Sequence, residues 1–99
     1  MNCALSNKLV YEIQAIAKKY AVKRIVLFGS RARGDNKFNS DIDIAVYPLP
    51  EFMSRGYFFS EIDDLETLLK IDVVFIDSHT DTKLLENISK EGVVIYERL

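Results

Sequence analysis

Near the amino end, apolar residues recur at steps of three and four: Leu5, Leu9, Ile13, Ile16, Ala17 and Tyr20. That spacing predicts an amphipathic helix, with Lys18 and Lys19 near its carboxyl end. The run "RIVLF" over 24–28 is short and β-branched and stops at Gly29, which predicts a buried strand. "DIDIAVY" over 41–47 alternates and is followed by Pro48 and Pro50, giving a second strand. Phe58, Ile62, Leu65 and Leu69 return to helical spacing, with Asp63, Asp64 and Glu66 on the other face, and predict a second long helix. "IDVVFI" over 71–76 makes a third strand, 81–91 a shorter helix stopped by Gly92, and "VVIY" over 93–96 a fourth strand. The pattern predicts a mixed α/β (α+β) fold of about four strands, with helices packed on one sheet. The segment 48–56 is expected to be an irregular loop whose length suits a mobile flap, with Tyr47, Tyr57, Phe58 and Phe59 beside it.

Two acids interrupt the second strand. Side chains alternate across a strand, so Asp41, Asp43 and Ala45 share one face and Ile42, Ile44 and Val46 the other. At the usual rise the Cα atoms of Asp41 and Asp43 lie about 7 Å apart, close enough for both to reach one pair of divalent cations. Without a cation the two charges repel, and one is pushed towards protonation. Asp72 stands one residue into the third strand; if that strand neighbours the second, three carboxylates surround one spot. Oxygen donors of this kind suit Mg²⁺, which takes a few carboxylates, water and phosphate oxygens. An isolated acid at a strand end is otherwise a solvated cap or turn residue.

Gly29 and Ser30 follow the first strand directly. Glycine lets backbone approach a ligand closely, and Ser30 can begin a short helix whose free N–H groups attract phosphate. Arg31 and Arg33 come next, and one of these forked guanidinium groups, with Arg33 the choice, is expected to meet a polyphosphate. The lone histidine, His79, lies in the polar run "DSHTD" and reads as a loop residue.

Size and charge narrow the options. At 99 residues the chain is expected to be a single domain over 1–99, with one core. A net charge of −2 argues against a direct nucleic-acid binder, although Lys18, Lys19, Lys23, Arg24, Arg31, Arg33 and Lys37 cluster in a stretch whose only acid is Asp35. Cys3, the one cysteine, has no internal partner and reads as an incidental thiol, and no apolar run reaches the roughly 18 residues that span a bilayer. A reducing cytoplasm and no membrane insertion are the corresponding expectations.

Gly29-Ser30, ten intervening residues, Asp41-Ile42-Asp43 and a later strand carrying Asp72 together resemble the DNA polymerase beta-like nucleotidyltransferase superfamily, and its minimal single-domain members in particular. "FGSRARGD" and "SDIDIAV" are similar to that family almost letter for letter. The resemblance implies Mg²⁺-dependent transfer of a nucleoside monophosphate from a triphosphate, with pyrophosphate released. Asp41 and Asp43 are then ligands of two Mg²⁺ ions, Asp72 completes the site of the ion that activates the acceptor hydroxyl, and Gly29 and Ser30 bind the β- and γ-phosphates. The base-gripping second domain of larger members is not seen, so the acceptor is expected on another molecule. Minimal members resemble antitoxins that use ATP to adenylylate a tyrosine of an all-helical HEPN-type RNase toxin. A non-catalytic antitoxin acting by binding, and transfer to a small molecule with help from a second subunit, are the alternatives.

Overall fold

The computed structural model describes residues 5–52 and 54–98, and Cys3 lies outside them. Ser6 opens the first helix, α1 (Asn7–Lys19), its Oγ accepting a hydrogen bond from the Leu9 N–H at 3.1 Å. Leu9, Val10, Ile13, Ile16 and Ala17 face inward from this helix. Then come β1 (Val22–Phe28), α2 (Ser30–Arg33), β2 (Ile42–Pro48), α3 (Arg55–Asp63), β3 (Ile71–Phe75), α4 (Thr82–Glu91) and β4 (Val93–Glu97). The strands form one sheet in the order β3-β2-β1-β4. β1 pairs antiparallel with both β2 and β4, while β2 and β3 run parallel.

Parallel neighbours need a crossover, and α3 supplies it. Its Phe58 is fully buried and meets the rings of Tyr20, Phe52 and Phe75 at 5.9, 5.8 and 6.0 Å. Burying such a ring contributes about 2–3 kcal/mol, and here it ties α3 to both α1 and β3. The main core lies between α1, α3 and the sheet face carrying Ile25, Leu27, Ile42, Ile44 and Val46. The opposite face carries Val26 and Ala45, and α4 covers it through Ile88 and Leu84. The four-stranded α/β expectation is met, with the helices divided between the two faces of the sheet.

Some boundaries differ from the sequence pattern. α3 ends at Asp63, so Leu65 and Leu69 do not extend a long helix; they pack on the core from a turn in which Leu69 N–H donates to Thr67 Oγ1. An apolar side chain can be buried from a turn as well as from a helix, which is why spacing alone overran the end. Pro48 closes β2 from inside, and Asp41 stands just before the strand. Gly92 follows α4 with φ −68°, an extended rather than left-handed conformation. It is small for another reason: a Cβ there would meet the Ile88 carbonyl and lie 2.5 Å from Val26 Cγ1, so α4 can come down closely on β1. The described residues of the 48–56 segment form no flap over the acids. Phe52 is packed on Phe58 and Phe75, at the end of β2 remote from Asp43.

Candidate active site

The β2–β3 register decides the geometry of the acids. Asp43 stands directly opposite Asp72 in the parallel ladder, and Ile42 opposite Ile71. Paired residues in a ladder point to the same face, so Asp43 and Asp72 project together, on the face that Ala45 shares with α4. Asp41, two residues before Asp43, is solvent-exposed at the mouth of the same edge, and the Ile42 N–H donates to the Lys70 carbonyl at 2.8 Å, closing the two strand starts together.

Electrostatics reflect the crowding. Burial pushes the Asp43 carboxyl above its ordinary value, the charges of Asp72 and then Asp41 push it further, and Arg33 pulls the other way. Lys70 Nζ lies 3.2 Å from Asp72 Oδ1, and this hydrogen bond, with the Asp72 and Asp41 charges, raises the lysine above its usual value. Among the described residues no three acids close tightly enough to enclose an ion. The donor set still fits Mg²⁺, because it is all carboxylate, repels itself and opens to solvent, where water and phosphate oxygens complete an octahedral shell.

Across the strand pair Phe28 is the partner of Asp43, so the residue after β1 arrives beside that carboxylate. This residue is Gly29, with φ 79° and ψ −159°, a conformation open in practice to glycine alone. A Cβ at this position would lie 2.5 Å from Asp43 Oδ2. The glycine therefore serves two ends, turning the chain into α2 and leaving room for the acid. Ser30 begins α2 as expected, and the Ala32 and Arg33 N–H groups close the turn on the Gly29 carbonyl at 3.1 Å each.

A family model described as "Polymerase beta, Nucleotidyltransferase" matches residues 11–99. The chain belongs to this nucleotidyltransferase family. It is 40% identical to the candidate protein adenylyltransferase MJ1215 of Methanocaldococcus jannaschii, over 74% of this chain and 93% of that protein. A second such protein of that organism, MJ0128, is 33% identical over 81% of this chain and 83% of its own length. Solved structures share the fold. A toxin–antitoxin complex with AMP-PNP aligns with TM-score 0.72 at 24% identity, covering 90% of this chain and 73% of that one. A tri-AMPylated Shewanella oneidensis HEPN toxin in complex with its MNT antitoxin gives TM-score 0.69 at 19% identity, over 95% of this chain and 74% of that chain.

In this nucleotidyltransferase the two arginines after the Gly-Ser turn have separate situations. Arg31 is buried, and its guanidinium donates to the carbonyls of Ser40 at 3.0 Å and Phe38 at 3.2 Å, so it braces the loop over 34–40. Arg33 is exposed beside the carboxylates, with Nε on Asp35 Oδ2 and Nη1 on both oxygens of Glu91, all at 3.1 Å. Glu91 also accepts the Gly29 N–H at 3.1 Å. The Gly29 N–H is thus already engaged, and what the turn leaves open is the room made by the missing side chain. Sequence reading missed Glu91; the one local signal was an acid at the end of α4, where the helix dipole disfavours negative charge. His79 is exposed in the turn after β3, as expected of a loop residue. Among the described residues no helix is long and apolar enough to cross a membrane.

Proposed function

We propose that this nucleotidyltransferase is a Mg²⁺-dependent protein adenylyltransferase, moving AMP from ATP to a tyrosine hydroxyl of an all-helical HEPN-type toxin and so acting as its antitoxin. The observation that carries the chemistry is the facing pair Asp43 and Asp72 with Gly29 pressed against Asp43. The acceptor class is supported by the relatives named as candidate protein adenylyltransferases and by the toxin–antitoxin complexes that share the fold.

In this reading residues 1–99 act as one catalytic domain. Asp41 and Asp43 would hold the two Mg²⁺ ions, and Asp72 would complete the site of the ion that serves the acceptor. The metal, when bound, supplies charge neutralisation on the triphosphate and on the attacking oxygen. Gly29 and Ser30 receive the β- and γ-phosphates at the turn, and Arg33 offers its remaining guanidinium edge to the same oxygens. The acceptor oxygen forms a bond to the α-phosphorus while the bond from that phosphorus to the bridging oxygen breaks. Pyrophosphate leaves with both electrons of that bond, and the hydroxyl proton passes to Asp72 and on to water.

The test is incubation of the purified chain with ATP, Mg²⁺ and the helical protein that copurifies with it, followed by intact-mass analysis. Gain of one or more AMP units on a partner tyrosine, lost in Asp41→Asn and Asp43→Asn, is the expected result. Full neutralisation of the partner by the doubly substituted chain, with no mass gain, would make binding the activity instead.

A further inference from the structure

Glu91 lies far from the acids in sequence, yet the fold delivers it to them. β4 pairs with β1 so that Val93 stands opposite Leu27, and the closely packed Gly92 leaves Glu91 above the end of β1. Its carboxylate Oε1 accepts the Gly29 N–H at 3.1 Å, and both oxygens accept from Arg33 Nη1 at 3.1 Å. On the other edge of the same guanidinium, Asp35 Oδ2 takes Nε at 3.1 Å. A carboxylate at a helix carboxyl end, close to a cluster of acids, is electrostatically costly unless a cation offsets it. Here Arg33 is that cation, and it is gripped from two sides while Nη2 takes part in neither bond. Long arginine side chains lose much rotamer freedom on engaging a ligand, and a guanidinium already fixed loses less.

We propose that Glu91 is a positioning residue of the nucleotide site: it fixes Arg33 and the Gly29 turn in the arrangement that receives the triphosphate. The inference rests on the nucleotide reading above and adds a residue to it. Glu91 touches no reacting atom; its charge acts through Arg33, and its oxygen holds the Gly29 turn.

The experiment measures Mg²⁺–ATP affinity of the full chain by calorimetry, without any acceptor, together with KM for ATP and kcat in the transfer assay. Glu91→Gln keeps an acceptor for the Gly29 N–H and removes the charge that holds Arg33. It is expected to raise Kd and KM for ATP about tenfold, the scale of one charge-assisted hydrogen bond, with kcat within about threefold. In an Arg33→Ala background the same substitution should change Kd less than about twofold, because the intermediary is gone. A wild-type Kd in Glu91→Gln, a Kd that falls, or an undiminished effect in the Arg33→Ala background would each overturn the proposal. If Glu91→Gln lowered the melting temperature while leaving Kd unchanged, the residue would be structural only. Absence of ATP binding by the wild-type chain would remove the nucleotide reading and this inference with it, whereas wild-type binding with an unaffected variant removes the inference alone.

Discussion

A carboxylate oxygen of Asp43 occupies the space where a side chain at Gly29 would begin, 2.5 Å from the position of its Cβ. The turn that follows β1 and the acid inside β2 are therefore one structural unit, joined by the pairing of Phe28 with Asp43.

Gly29→Ala is expected to fail on two counts. A backbone at φ 79° strains any L side chain, and the new methyl must displace the Asp43 carboxylate. We expect a loss of about 1–3 kcal/mol in stability. Nucleotide transfer should fall at least a hundredfold, the scale of misplacing a reacting group by an ångström. Chemical denaturation and a radiolabelled-ATP transfer assay measure the two effects separately.

Asp43→Asn should stabilise the fold while abolishing transfer. The folded-state carboxyl is raised by burial and by Asp72 and Asp41, so ionising it opposes folding. Stability held below the ordinary value of 3.8 is lost as pH rises through the raised native value, and asparagine escapes that loss. The variant should match wild type in acid and melt higher at neutral pH, by an amount that solvent screening of this partly exposed carboxyl keeps small. Mg²⁺ should raise the wild-type melting temperature and leave the variant nearly unmoved; an equal response in both would count against Asp43 as a ligand.

Arg31 and Arg33 should separate cleanly on substitution. Arg31→Ala strips a buried donor from the Ser40 and Phe38 carbonyls and should cost about 1–3 kcal/mol. Arg33→Ala removes exposed, solvent-screened ion pairs to Asp35 and Glu91, so it should change stability little and show instead as weaker ATP binding. Reversal of this order, in thermal melts against nucleotide affinity, would contradict the division of roles.

Arg98 provides a control remote from the chemistry. Its side chain donates to the Val22 carbonyl at 3.0 Å and to those of Ala17, Lys18 and Tyr20 at 3.4, 3.4 and 3.2 Å, tying the end of β4 to the carboxyl end of α1. Arg98→Ala should lower stability by about 1–2 kcal/mol and leave KM and kcat for ATP unchanged.

The sequence by itself determined what is local. The run "RIVLF" has the β-branched density of a buried strand and "IDVVFI" that of a strand, Gly29 breaks the first where a special conformation is needed, and the two-residue step from Asp41 to Asp43 sets two acids close together at the start of β2. Those signals survive because strand alternation and glycine's freedom are properties of neighbouring residues. Only the tertiary structure decided the rest. That Asp72 faces Asp43 follows from the parallel register of β2 and β3, which α3 and the burial of Phe58 set. Arg31 and Arg33, two positions apart in a four-residue helix, point to different surroundings, one into the 34–40 loop and the other to Asp35 and Glu91. Glu91 reaches the Gly29 turn because α4 descends on β1 through a glycine too small to hold it away. No spacing in one dimension encodes these approaches, since they depend on how separate elements pack in three.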